Sequence, residues 1–447
     1  MMPDRYAAGR ALRKAAGRKE HAAWSPGPRR EDPVAIVERT DQARIPELVP
    51  IRHWRMMRSP FAFFRGSAAI MAADLATTPV TGLRVQTCGD AHLANFGAFA
   101  TPERNVFFDV NDFDETLHGP WEWDVKRLAA SFVLAARNNG YAERSCRDAA
   151  SAAVRSYRES MRALAPLTAL AIWYSRVDVR DVVAALRATD ERRAIAKGRA
   201  ALRRQTVDKV FAKMTRVVDG RLQLIDAPPL VFHPAGDLAL LSRNTALVER
   251  YRKTLRDDIR TLFDRYRVED AVVKVVGIGS VGTICGVVLL TAGPDDALLI
   301  QVKQATASVL EPFAGASKYK NHGERVVTGQ RRMQAASDIF LGWTSDDQGR
   351  DFYFRQLRDM KITVSSDGMP APELAAYANL CGRALARAHA RTGDPAAIAG
   401  YLGRSDAFDR AVVDFAVRYA DQTEADHAAF VAAIKSGRLA AQSDGTS

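Results

Sequence analysis

Gly89-Asp90-Ala91-His92-Leu93-Ala94-Asn95-Phe96-Gly97 and, after a short loop, Phe107-Phe108-Asp109-Val110-Asn111-Asp112-Phe113-Asp114 set an acid, an amide five residues later and a group of carboxylates close together in the chain. Phosphoryl transfer needs such groups: a carboxylate that orients the attacking hydroxyl, and oxygen ligands that place Mg²⁺ against nucleotide phosphates. Asp90 suits the first task and Asn95 and Asp112 the second, with Asp109 and Asp114 as reserve metal ligands. The apolar residues Leu83, Val85, Val106, Phe107 and Phe108 predict two short strands flanking the loop, a rigid frame for these side chains. Runs of Asp, Asn and Gly also serve as plain turn chemistry. The constellation, more than any one carboxylate, argues for a site.

Gly89-Asp90-x-His92-x-x-Asn95 resembles the catalytic loop of the aminoglycoside and choline phosphotransferases, the small-molecule branch of the protein-kinase-like fold. Val110-Asn111-Asp112-Phe113-Asp114 is similar to that family's metal-binding segment, and the stretch from Pro120 through Asp124 to Ala129 resembles the helix start that buttresses the loop. The resemblance implies an ATP- and Mg²⁺-dependent enzyme, with His92 and Asp124 in support. Cys88 stands where that family usually carries His, a departure that bears on how the loop is positioned.

A second informative stretch runs from Val272 to Leu290 and contains Gly277, Gly279, Ser280 and Gly282. Its G-x-G-x-x-G alone also fits a dinucleotide fingerprint, which requires a helix after the glycines. Here Thr283 to Leu290 predicts another strand, Gly293-Pro294-Asp295-Asp296 a turn, and Ala297 to Lys303 a third strand. That is the glycine-rich hairpin of a kinase-like small lobe. Small residues let backbone amides approach phosphates, and Lys303 is the expected phosphate lysine. Its acidic partner is sought on the following helix, with Glu324 one candidate and Glu311 another. Asp351 to Leu357 resembles the strand entering the hinge where adenine would meet backbone.

The 447 residues suffice for two lobes with sizeable cores. Four scattered cysteines, Cys88, Cys146, Cys285 and Cys381, show neither paired nor metal-ligand spacing, so a reducing, cytoplasmic setting without disulfide or zinc is expected. Val275 to Ala292 is uncharged, but its glycines and β-branched residues fit strands better than a membrane span. The net charge of +12 favours anionic partners and keeps nucleic acid as a competing class. Between Arg192 and Arg216, however, Ile195, Leu202, Val207, Val210 and Phe211 recur at helical spacing, which makes the basic residues a solvated face.

Residues 1–50 carry turn signals and little periodicity, and are expected to form a mobile basic arm. Residues 51–266 are assigned to a helical lobe holding the catalytic loop, 267–365 to a small β lobe, and 366–447 to helices completing the large lobe. Trp54, Met57, Phe61, Phe64, Ala68 and Met71 recur at helix-like intervals; Arg65-Gly66 within them reads better as helix surface than as a phosphate contact. Asp124 is expected to cap a helix, and His389 to end one.

The order is unusual for a kinase-like chain, because Asp90, Asn95 and Asp112 precede the glycines and Lys303. Either the glycine match is accidental or the fold is circularly permuted; all expected parts are present when the chain is read from about residue 270 to the end and then onward from 51. The arrangement, with Phe61 to Gly66 and Arg325-Val326-Val327, also looks like the DUF2252 proteins of bacteria, a resemblance that brings no activity. The expected fold is thus α+β, a permuted protein-kinase-like two-lobe architecture with a small antiparallel sheet and a larger helical lobe. The expected function is ATP- and Mg²⁺-dependent phosphoryl transfer to an unidentified hydroxyl-bearing acceptor, with the basic balance favouring an anionic one. Nucleotidyl transfer and a non-catalytic nucleotide-sensing or nucleic-acid-binding role are the alternatives.

Overall fold

The computed structural model describes residues 2–178, 211, 213–233, 245–293, 296–357 and 362–445. The basic run between Arg192 and Arg216, expected to be helical, falls largely outside them, as do residues 358–361 and Pro294-Asp295 of the expected turn.

Helices α1 (Met2–Ala11) and α2 (Pro33–Asp41) precede three short ones, α3 (Val49–Met57), α4 (Pro60–Gly66) and α5 (Ala68–Leu75). The helical periodicity of 51–75 is therefore cut twice. Ser59 caps α4 by accepting from the Ala62 N–H, Pro60 occupies its first turn, and Gly66-Ser67 ends it. Strands β1 (Arg84–Thr87), β2 (Phe96–Ala100), β3 (Val106–Val110) and β4 (Leu117–Pro120) frame the candidate loop from Gly89 to Asn95, and α6 (Trp121–Asn138), α7 (Glu143–Leu164) and α8 (Ala169–Tyr174) follow. The two expected strands are present; β1 pairs with β4 and β2 with β3, both antiparallel.

Next come β5 (Thr215–Val218), β6 (Arg221–Leu224), β7 (Val231–Phe232), α9 (Thr245–Arg252), α10 (Asp257–Phe263), β8 (Arg267–Lys274), β9 (Cys285–Gly293) and β10 (Asp296–Ala305). Then follow α11 (Glu311–Ala314), α12 (His322–Met333), β11 (Gly342–Ser345), β12 (Asp351–Gln356), β13 (Ile362–Thr363), α13 (Ala371–Ala390), α14 (Pro395–Leu402) and α15 (Ala407–Lys435). The largest sheet has six strands in the order β11-β12-β10-β9-β8-β7, and every pairing is antiparallel. No helix follows the glycines; residues 275–284 join β8 to β9, which excludes the dinucleotide topology.

The molecule is thus mixed α+β, with small antiparallel sheets and a helical part built from α6, α7, α13 and α15. One continuous apolar core joins Leu128, Phe132, Tyr157, Leu385 and Phe415 from these helices to Phe96, Phe108 and Val110 of the loop's frame. Burying these faces is what fixes the frame, since each core side chain removed from water contributes about 1.5–3 kcal/mol.

Three expected boundaries are corrected. Residues 1–50 are not a mobile arm. Gly9 of α1 lies against Ala397 of α14, His21 is fully buried, and Arg13 and Arg18 donate to the carbonyls of Gly400, Tyr401 and Leu402 that end α14. The basic residues act there as a cap on a helix C-terminus. Residues 231–233 and 245–263 belong with the sheet, because β7 is its edge and Leu247, Tyr251, Ile259 and Phe263 cover one of its faces, with Tyr251 stacked on Phe354 at 4.1 Å. β13 pairs with β2, beside the Gly89–Asn95 loop.

Candidate active site

The loop is built on backbone hydrogen bonds to buried side chains. Gly89 has φ +83°, and its missing side chain leaves room for the Glu115 carbonyl. Asp124 does not cap its own helix as expected. It is buried in the first turn of α6, where its two carboxylate oxygens accept the Cys88 and Gly89 amides at 2.7 and 3.0 Å. His389 Nε2 lies 3.0 Å from the same carboxylate, and its Nδ1 lies 2.9 Å from the Tyr157 hydroxyl, so this histidine locks the buttress.

One turn further along α6, Arg127 grips the general-base candidate: its Nε donates to Asp90 Oδ1 at 2.6 Å, and Nη2 donates to the Phe64 carbonyl at 2.9 Å. Burial raises the Asp90 carboxyl, and the charges of Arg127 and Arg65 oppose that shift. His92 Nε2 stands 3.7 Å from Asp90 Oδ2; burial holds its imidazole well below the ordinary value, so it is neutral. Asn95 donates through Nδ2 to the Asp90 carbonyl at 2.8 Å, which leaves its Oδ1 as the ligand atom. The Asn95 carbonyl accepts the Asn111 N–H at 2.8 Å, joining the loop to the metal-segment candidate.

Within that segment the carboxylates separate into different roles. Asp109 is fully buried; Arg387 donates to both of its oxygens at 2.7 Å and the Ala335 amide donates at 2.8 Å, so it is a structural ion pair and not a reserve metal ligand. Asp112 lines the cleft, and burial and the charge of Asp114 push its carboxyl up. Asp114 accepts from Lys303 Nζ at 2.5 Å, from the Tyr353 hydroxyl at 2.6 Å and from the Ser280 hydroxyl at 3.2 Å. Burial alone would raise Asp114, but Lys303 and Tyr353 hold it at about 2.

The acidic partner of Lys303 is therefore Asp114, and not Glu324 or Glu311. Glu324 sits in the first turn of α12, where its amide donates to the Asn321 cap; Glu311 stands 3.8 Å from His322 and 4.0 Å from Arg325. The α12 residue that reaches the metal segment is Arg325, which donates to the carbonyls of Asp114 and Thr116 at 2.8 and 2.7 Å. It carries no carboxylate for the lysine, which explains the shift of partner.

Between the sheet and the loop's frame lies a cleft of about 780 Å³. Gly277, Ser280, Lys303 and Asp112 line it, whereas Asp90, Asn95, Gly279 and Gly282 are not among its walls. The glycine segment is tied from outside: the Ile45 amide donates to the Gly282 carbonyl at 2.7 Å, Arg55 donates to the Gly277 carbonyl at 2.6 Å, and Arg44 donates to the Val281 carbonyl. Asn95 and Asp112 offer oxygen donors only, which suits a hard cation such as Mg²⁺. Among the described residues no group of three or more His, Cys, Asp or Glu forms a complete metal cage.

The model of a bacterial family, described as uncharacterized protein conserved in bacteria (DUF2252), matches residues 44–433. The chain belongs to the DUF2252 family. Comparison with curated proteins and with solved structures finds no match. The DUF2252 match takes in all the site residues above, from Asp90 to His389, along with Arg44, Ile45 and Arg55 that hold the glycine segment. No helix among the described residues is long and apolar enough to cross a membrane.

Proposed function

We propose that this DUF2252 chain is an ATP- and Mg²⁺-dependent phosphotransferase on a circularly permuted kinase-like frame, acting on a hydroxyl-bearing acceptor. One observation carries the reading. The Asp114 carboxylate gathers Ser280 of the glycine segment, Lys303 of the third strand and Tyr353 of the strand beyond it onto the metal-segment candidate. Segments nearly 190 residues apart in sequence, |i−j| = 189 for Asp114 and Lys303, thereby meet at one cleft.

In this reading Gly277, Ser280 and the Lys303 ammonium face the phosphates, and Asn95 and Asp112 would hold the metal. Mg²⁺ bound to Asn95 and Asp112 would supply positive charge against that of the phosphates. Arg127 fixes Asp90 through Oδ1 and leaves Oδ2 to orient the acceptor hydroxyl and take its proton late in the transfer. Asp124 keeps the loop in register by satisfying its amides.

The test is incubation of the purified chain with MgATP and a panel of hydroxyl acceptors, read by product mass. An added phosphate supports phosphoryl transfer; an added nucleotide monophosphate replaces it with nucleotidyl transfer. Asp90→Asn is expected to lower turnover by about 10²-fold or more. Turnover within a few-fold of wild type would remove Asp90 as the base.

A further inference from the structure

Arg355 is the penultimate residue of β12, and the cross-strand pairs Gln301 with Arg355 and Lys303 with Tyr353 place it on the same sheet face as Lys303. That face roofs the cleft, whose walls include Gln301, Lys303, Arg355 and Asp112. Both cations sit at the Tyr353 ring, with Lys303 Nζ 5.6 Å and Arg355 Cζ 5.8 Å from its centroid.

Their hydrogen bonding differs. The Lys303 charge is engaged by Asp114 at 2.5 Å. Arg355 is anchored through Nε, which donates to Gln301 Oε1 at 2.8 Å, while Gln301 Nε2 is itself fixed on Cys285 Sγ at 3.4 Å. Among the described residues neither terminal nitrogen of Arg355 has a hydrogen-bond partner. A guanidinium held at Nε presents its two remaining nitrogens as a planar fork that matches two oxygens of a phosphate. It offers donors only, so the ligand must bring acceptors.

We infer that Arg355 is a phosphate-binding residue of this cleft, seating one phosphate of a polyphosphate ligand while Lys303 is engaged by Asp114. The inference builds on the nucleotide reading above and names a residue which that reading did not use. Because Asp112 and Asp114 adjoin the seat, the anion binds together with a divalent cation, which offsets the carboxylate repulsion.

Calorimetry on the full chain, in the presence of Mg²⁺, tests it with three probes: ATP, inorganic tripolyphosphate and adenosine. Arg355→Gln is expected to weaken ATP and tripolyphosphate by about ten- to a hundredfold, the loss typical of one charged hydrogen-bonding partner, and to leave adenosine unchanged. Arg355→Lys keeps the charge but not the fork; it should give a smaller loss confined to the same two probes, and it serves alone if Arg355→Gln does not fold. Unchanged ATP and tripolyphosphate affinity in the variants would overturn the inference while leaving the nucleotide reading intact. So would an equal loss for adenosine, or a wild type that binds neither polyphosphate. Tripolyphosphate bound through Arg355 by a chain that ignores adenosine and binds ATP no better would sustain the inference and sink the nucleotide reading.

Discussion

Asp124 and Arg127 lie one turn apart on the same face of α6, and between them they fix the backbone at Cys88 and Gly89 and the carboxylate of Asp90. The i, i+3 spacing was visible in the sequence, yet only Asp124 was given a role: the loop support expected of it is what it provides, whereas the cap on its own helix, the ordinary job of a carboxylate at a helix start, is not. What it serves instead, two amides 35 and 36 residues upstream, is a tertiary fact. Glu122 and Lys126 on the same helix are fully buried. Glu122 Oε1 accepts from the Thr81 amide and hydroxyl at 2.7 and 2.6 Å, but burial outweighs these bonds and raises its carboxyl from 4.5 to about 7. Between those pH values the folded chain keeps a proton that the unfolded chain gives up, so this group's contribution is greatest at low pH and declines as pH rises to about 7. Lys126, lowered to about 7, is protonated in both states below that point and adds nothing in the window. Glu122→Gln should therefore match wild type near pH 4.5 and exceed it by about 3 kcal/mol above pH 7 in denaturant titrations. Parallel stability curves for the two proteins would refute this.

At the scale of elements, strong patterns were legible. The glycine-rich hairpin, the third strand bearing Lys303 and the apolar face of α13 through Leu374, Tyr377, Cys381, Leu385 and Ala388 all follow from period and turn chemistry. Which strand faces which was not legible. Tyr353 opposes Lys303 only through the β10–β12 register, and register depends on pairing across the sheet. The separation of Asp109 from Asp112 and Asp114 was equally hidden, because Asp109 is spoken for by Arg387 from a helix 278 residues later. The candidate loop depends on close backbone approach at Gly89, where an added Cβ would stand 2.1 Å from the Glu115 carbonyl oxygen. Gly277 also has positive φ, +63°, but opens onto free space. Gly89→Ala should thus cost at least about 2 kcal/mol and Gly277→Ala about 1 kcal/mol, measured by urea unfolding. Equal effects would mean that the Gly89 turn is not closely packed.

Across the whole molecule, the first fifty residues are tied to helices at the far end of the sequence. Arg30 donates to both oxygens of Asp74 at 2.9 Å and to both of Asp426 at 2.8 and 2.6 Å, joining α5 to α15. No local pattern announces partners almost 400 residues away, which is why this segment read as a mobile arm. Arg30→Met leaves two buried carboxylates without their cation and should destabilise the chain by about 3–5 kcal/mol, seen as a lowered urea midpoint; a loss under 1 kcal/mol would show that the ends are not coupled. The same long-range convergence underlies the proposed site, where Asp112 and Lys303 belong to segments far apart in the chain yet line one cleft. The most direct measurement is ATP binding by calorimetry, with and without Mg²⁺, on wild type, Lys303→Ala and Asp112→Ala, each first shown to be folded by thermal melting. Mg²⁺-dependent binding by wild type that is lost in both variants is the expected result, and folded wild type that binds no ATP would contradict the account.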